Sequence, residues 1–162
     1  MNLPKPRKIK VERYVGGLSQ FKKIENPIKL SANESALGPS PKAIAAFKKN
    51  KDKIFKYPES DAQSLREAIS KKFKIKPERI ICGAGSDQIF DLTCQLFIEP
   101  GDEVVMGEFN FIMHRIYSTL YGAKVQLAKE KNLRISVNAL LEKVTKKTKL
   151  IFISNPNNPT GT

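Results

Sequence analysis

The sequence predicts the α/β class, a mostly parallel sheet with helices on both faces, together with an extended N-terminal arm. Three observations carry that expectation. From Arg79 onward short apolar runs alternate with segments of helical periodicity, the pattern of parallel strands joined by helical crossovers. Leu150-Ile151-Phe152-Ile153 is an unbroken apolar run, as expected of a strand buried on both faces. Gly83-Ala84-Gly85-Ser86 joins an apolar run to a helical one and reads as a tight strand-to-helix turn.

Residues 1 to 35 hold the breakers Pro4, Pro6, Gly16-Gly17 and Pro27 and little periodicity, which predicts an arm that packs on something else. Ser40-Pro41 supplies an N-cap followed by proline at the first helical position, opening a helix to about Lys49. Tyr57-Pro58-Glu59-Ser60 breaks the chain. Ser60 or Asp61 is expected to cap the next helix, where Leu65, Ala68, Ile69 and Phe73 recur as an apolar face. Ile80-Ile81-Cys82 is expected to be a short buried strand, and Asp87 to Phe97 a helix with Ile89, Leu92 and Leu96 on one side. Pro100-Gly101-Asp102 turns into a strand from Glu103 to Met106. Phe111 to Tyr121 reads as a helix ended by Gly122, Lys124 to Ala128 as a strand, Asn138 to Thr145 as a helix and Lys149 to Ile153 as the final strand.

With 162 residues, 40% of them hydrophobic and 28% charged, the chain has enough apolar material for one globular core. No run approaches the roughly 18 apolar residues of a membrane span, and Met1-Asn2-Leu3-Pro4 does not open a secretory signal, so a cytoplasmic location without a membrane partner is expected. The net charge of +13 comes largely from dispersed pairs, Lys22-Lys23, Lys48-Lys49, Lys71-Lys72 and Lys146-Lys147. They lack the interleaved aromatics of a stacking platform, so no nucleic-acid partner is expected. Cys82 and Cys94 have neither a metal spacing nor a disulfide framework and read as packing residues.

Three turns carry chemistry. Gly83-Ala84-Gly85-Ser86-Asp87-Gln88 meets a helix N-terminus, where unpaired amides and the positive end of the helix dipole favour phosphate, although a tight turn needs the same glycines. Gly107-Glu108-Phe109-Asn110-Phe111 places two aromatics beyond a strand's carboxyl end, as a platform for a planar ligand or as core residues of the next helix. Asn155-Pro156-Asn157-Asn158-Pro159-Thr160-Gly161-Thr162 follows the last strand on the same edge, where open α/β sheets hold their ligands. His114, the sole histidine, has no nucleophile at a catalytic spacing and is given a structural or surface role.

In order and spacing, Leu30-Ser31-Ala32-Asn33-Glu34, Gly38-Pro39-Ser40-Pro41, Tyr57-Pro58, Gly83-Ala84-Gly85-Ser86-Asp87, Pro100-Gly101-Asp102-Glu103-Val104 and the terminal Asn155 to Gly161 turn resemble the fold-type I pyridoxal-phosphate aminotransferases. Among these the chain is most similar to the histidinol-phosphate aminotransferases, from about Tyr14 to Thr162. The resemblance implies an arm and the start of a small domain over residues 1 to 35 and an incomplete cofactor-binding large domain over 36 to 162. It implies pyridoxal phosphate as cofactor, with Gly85, Ser86 and Asp87 at its phosphate, Phe111 stacked on its ring and Asn158 bonded to the ring oxygen. Tyr57 would reach the cofactor phosphate of the other subunit of a homodimer, and Tyr14 and Asn33 would lie toward the substrate. The reaction implied interconverts histidinol phosphate and 2-oxoglutarate with imidazole acetol phosphate and glutamate, in histidine biosynthesis.

The match has departures. Relatives often read Asn-Glu-Asn-Pro where this chain has Asn33-Glu34-Ser35-Ala36, and commonly have Glu at the place of Gln88. The family's Schiff-base lysine, its partner acid for the pyridine nitrogen and its substrate arginines come after the terminal turn, so no catalytic residue is expected within these 162 positions, and the chain by itself is expected to be an inactive N-terminal fragment. Other readings are another aminotransferase, such as an aromatic one, or a threonine-phosphate decarboxylase-like enzyme. A non-covalent phosphate-binding module and a basic nucleic-acid-binding protein are the readings outside that chemistry.

Overall fold

The computed structural model describes residues 8–17, 24–25 and 28–162. The breakers Pro4, Pro6 and Pro27 and the pair Lys22-Lys23 lie outside the described residues. The chain divides into two compact units, Val15–Cys82 and Met1–Tyr14 with Gly83–Thr162.

In the first unit, helix α1 spans Pro41–Asn50 with Ser40 at the N-cap and proline in the first turn, as expected, and the Ser40 carbonyl accepts from the Ile44 amide at 3.1 Å. Helix α2 spans Gln63–Phe73, but its N-cap is Ala62, in the left-handed region at φ 50°, rather than Ser60 or Asp61. Capping comes from carboxylates just upstream: Asp61 accepts from the Gln63 amide at 3.2 Å, and Glu59 accepts from the Ser64 amide at 2.8 Å and its hydroxyl at 2.5 Å. The Ser64 hydroxyl first, and then its amide, hold the Glu59 carboxyl below its ordinary pKa. The apolar stripe of α2 is present but uncovered within its unit, with Leu65 53% and Phe73 60% exposed.

The Ile80-Ile81-Cys82 strand does not form among the described residues. Ile80 is extended, at φ −116° and ψ 125°, but the segment joins no ladder and Ile81 is 67% exposed. Extended backbone becomes a strand only when a neighbour takes up its amides and carbonyls, and none is present in this unit.

The second unit is the α/β core. Helix α3 spans Gly85–Phe97, strand β1 Glu103–Gly107, helix α4 Ile112–Leu120, strand β2 Lys124–Ala128, helix α5 Val137–Leu141 and strand β3 Thr148–Phe152. The sheet order is β2-β1-β3, and both pairings are parallel. Central β1 is buried at every position, which explains its unbroken apolar run Val104-Val105-Met106. On one face Val104 and Met106 pack with Cys94 and Ile98, with Tyr117, Val125, Leu150 and Phe152 against them; on the other Val105 meets Ala128 and Leu140. Helices therefore cover both faces, as the sequence predicts.

Three expectations differ from the structure in this unit. Strand β3 is an edge strand, and Ile151 at 41% and Ile153 at 60% exposure are not buried on both faces, because only the α3/α4 side of that strand is covered. On α3 the buried position is Cys94, whose thiol lies 4.0 Å from the Ser118 hydroxyl, while Leu96 is 75% exposed. Helix α5 is also shorter than the expected run to Thr145, because the Thr145 side chain turns to Glu103 at 2.6 Å and its amide bonds Thr148. No helix among the described residues is long and apolar enough to cross a membrane.

Candidate functional site

The carboxyl ends of β1 and β3 and the N-termini of α3 and α4 supply the site. The turn into α3 is closed by side chain and backbone together: the Ala84 amide donates to Gln88 Oε1 at 2.6 Å and the Gly85 amide to the Gly83 carbonyl at 2.8 Å. Gly85 has φ +79°, which L side chains rarely adopt, and a Cβ there would meet nothing within 4 Å. Beside this opening Ser86 is exposed and Asp87 half-buried, at a helix N-terminus whose first amides have no partner within the helix.

Phe111 is the N-cap residue of α4 and half-buried, so it belongs partly to the core and partly to the site. Edge-on contacts surround it: Tyr14 at 6.4 Å between ring centroids, Phe90 at 6.4 Å and His114 at 5.9 Å. His114 stacks on Phe152 at 4.6 Å, with ring planes 3° apart, and meets the Phe90 edge at 4.3 Å. Burial pushes its imidazole down to about 4, against a smaller opposing pull from Asp87, and its buried Nδ1 has no hydrogen-bond partner. The histidine is therefore a neutral ring in the floor beneath Phe111. Its spacing from Phe111, three residues along one helix, was the available sign that the two rings share a face.

The turn after β3 folds on itself, with the Asn157 carbonyl accepting from the Gly161 amide at 2.7 Å and the Asn157 amide donating to the Thr162 carbonyl at 2.7 Å. The Asn157 carboxamide donates to the Phe109 carbonyl at 3.1 Å and to the Thr160 hydroxyl at 2.9 Å, which ties this turn to the loop after β1. Asn158 is half-buried in the turn, and its side chain has no hydrogen-bond partner among the described residues. A cavity of about 460 Å³ opens beside the turn, lined by Glu130, Arg134, Ile135, Ile153, Ser154 and Asn155. Glu130 Oε1 accepts from the Phe109 amide at 3.3 Å, while its buried Oε2 is unpaired.

Of the sequence-predicted residues, Gly85, Ser86, Asp87, Phe111, Asn158 and Tyr14 belong to this one unit, and Tyr14 touches Phe111 directly. Tyr57 and Asn33 belong to the other unit, where Tyr57 is fully exposed and Asn33 is exposed beside the Lys29 to Glu34 ion pair. Among the described residues no cluster of His, Cys, Asp and Glu could hold a metal. The bracing asparagines Asn110 and Asn157 escaped the sequence reading, because an Asn in a turn normally signals only the turn.

The family described as aminotransferase class I and II matches residues 25–162. The histidinol-phosphate aminotransferase of Pelagibacter ubique is 55% identical over 162 residues, which is 100% of this chain and 45% of that protein. Histidinol-phosphate aminotransferase 1 of Caulobacter vibrioides is 42% identical over 160 residues, 99% of this chain and 45% of that protein. The chain thus spans a little under half the length of these curated relatives. Among solved structures, histidinol-phosphate aminotransferase from Sinorhizobium meliloti in complex with pyridoxal-5'-phosphate superposes with a TM-score of 0.77 at 25% identity, covering 81% of this chain and 36% of that one. Aromatic aminotransferase from Pyrococcus horikoshii gives a TM-score of 0.67 at 28% identity over 77% and 37% of the two chains. A parallel sheet carrying this turn, this loop and this terminal motif, and a family match that takes in both units, place the chain in one group: it belongs to the class I and II aminotransferases.

Proposed function

We propose that this chain contributes the cofactor cradle of a pyridoxal-phosphate-dependent aminotransferase that interconverts histidinol phosphate and 2-oxoglutarate with imidazole acetol phosphate and glutamate, in histidine biosynthesis. One observation supports the reading: three independent chain segments, the α3 N-terminus, the Phe111 loop and the Asn157-Asn158 turn, bring backbone amides, an aromatic ring and carboxamides to one carboxyl edge of a parallel sheet. The names of the relatives support histidinol phosphate as one substrate, and 2-oxoglutarate is the amino acceptor proposed with it.

The residues present fit the cofactor. Its phosphate suits the open α3 N-terminus, where Gly85 leaves space, the backbone amides and Ser86 hydroxyl donate, and the helix dipole favours negative charge. The Asp87 amide serves there, and its carboxylate sits toward His114. Phe111 covers the ring, held by its edge contacts, and the unpaired Asn158 amide donates to the ring oxygen. Pyridoxal phosphate, when bound, supplies an electron sink that makes the α-proton of an amino acid removable. Tyr14, against Phe111, and Asn33 orient the substrate, and Tyr57 serves the site of a second subunit in a homodimer. The covalent lysine, the acid for the ring nitrogen and the substrate arginines belong to the length of the relatives that this chain does not span.

Residues 1 to 35 act as an arm and the start of a small domain, and 36 to 162 as the first part of the large domain. The setting is cytoplasmic, with small amino and oxo acids as partners and neither nucleic acid nor membrane. The test is the full-length protein with pyridoxal phosphate, histidinol phosphate and 2-oxoglutarate. Glutamate should accumulate only when all three are present; turnover of aromatic amino acids but not histidinol phosphate would move the protein to another branch of the family.

A further inference from the structure

We infer that Asn110 is a positioning residue, one that fixes Phe111 over the cofactor site and ties the β1–α4 loop to the end of β3. The inference rests on the reading that Phe111 packs on the cofactor ring. The Asn110 carboxamide makes three hydrogen bonds in three directions. Its Oδ1 accepts from the Phe111 amide at 2.8 Å and from the Ser154 hydroxyl at 2.9 Å, while its Nδ2 donates to the Phe152 carbonyl at 2.8 Å. An amide N–H can only donate and a carbonyl can only accept, so these partners fix which end of the carboxamide is which.

The connections are specific to the site. Phe111 takes its pose from φ −54° and ψ 122° at the N-cap of α4, and the Asn110 side chain secures the amide on which that pose begins. Phe152 closes β3 and carries the ring on which His114 stacks, and Ser154 starts the segment that leads to Asn157 and Asn158. Asn157 returns the tie by donating to the Phe109 carbonyl, on the other side of Asn110. The two loops that bear Phe111 and Asn158 are thus stitched in both directions. Only a side chain with a donor and an acceptor on one short planar group makes all three of the Asn110 bonds: Asp lacks the donor, Gln is a methylene too long, and Ala makes none.

The test uses the full-length protein loaded with pyridoxal phosphate, with Phe111→Ala as the reference. Asn110→Ala should weaken cofactor affinity about tenfold. It should shift the visible band of the bound cofactor in the direction that Phe111→Ala shifts it, and lower kcat by up to about a hundredfold with little change in substrate KM. Asn110→Asp, which keeps both acceptor bonds but sets a carboxylate oxygen against the Phe152 carbonyl, should restore the band position only in part. Ser154→Ala, which removes one bond and leaves the fold alone, should give a smaller shift of the same sign and carries the test if Asn110→Ala does not fold. A wild-type band and affinity in Asn110→Ala, or in Ser154→Ala where that variant stands in, with Phe111→Ala altered in both, overturns the positioning role. If Phe111→Ala is itself unchanged, the underlying reading of the site falls instead.

Discussion

His114 offers a sharp check on the core beneath the site, because it is the sole histidine of these 162 residues and its imidazole signal is assigned by its loss in His114→Phe. Enclosed by Phe90, Phe111 and Phe152 and 4% exposed, it is held neutral, with its pKa lowered from 6.5 to about 4 by burial. The folded value lies below the unfolded one, so the unfolded chain takes up the proton first. Its contribution to stability is therefore whole above pH 6.5 and is lost as pH falls from there to about 4. At about 1.4 kcal/mol per unit, that interval corresponds to about 3 kcal/mol. Proton-carbon correlation NMR of the imidazole across pH 3 to 8 reads the pKa, and urea unfolding at several pH values reads the linkage. In His114→Phe the sloping stability difference between those pH values should vanish. An imidazole that titrates near its ordinary value refutes the reasoning, since it would mean that water reaches the ring and that the aromatic floor is not closed.

Three further substitutions test packing and conformation. Gly122→Ala places a Cβ 3.1 Å from the Pro100 Cα at φ +88°, and should cost about 1–2 kcal/mol in chemical denaturation. Gly85→Ala meets no protein atom at φ +79°, so it should lose only about 1 kcal/mol of stability from backbone strain; a larger loss of pyridoxal phosphate affinity, read by fluorescence titration, would report the cofactor phosphate on that side. Met106→Ala, at 2% exposure in the centre of the sheet, should cost about 2–5 kcal/mol, and a smaller value would show that the core around β1 collapses to fill the gap.

Features governed by local chemistry were legible in the sequence. The Ser40-Pro41 start of α1, the Gly122 stop of α4, strand β2 from Lys124 to Ala128 and the turns before α3, after β1 and after β3 depend on a few adjacent residues, and the structure has them where the sequence places them. Burial depends on what lies opposite, which adjacent residues do not specify. Leu96 is expected on the inner face of α3 with Ile89 and Leu92, yet it is 75% exposed while those two are half-buried, and Ser118 and the β1 face meet Cys94 and Ile98. Leu150 to Ile153 had the composition of a doubly covered strand, but within this chain only one side of β3 has a covering layer. Ile80-Ile81-Cys82 had strand composition without a neighbouring strand in its own unit. At the site, Phe111 stands out by type, and Asn158 by the resemblance of its turn to the aminotransferases. Asn110 is recognisable only once the fold brings the end of β3 against the loop before α4, and His114 has in the sequence only its three-residue spacing from Phe111.

A sheet ordered β2-β1-β3 leaves the outer row of amides and carbonyls along β3 without a ladder partner among the described residues. Such a row is a template for a further strand, whether from the length that the relatives have and this chain does not span or from a foreign chain. The sequence around it limits that hazard. Lys149 puts an exposed charge within the strand, and Pro156 and Pro159 follow soon after its end, where neither can donate to a growing ladder. Charge and proline together act as gatekeepers against runaway pairing at high concentration. Replacing Lys149 with an apolar residue would turn Thr148 to Ile153 into a continuous sticky segment, visible as turbidity or dye-binding fibrils long before any loss of helix.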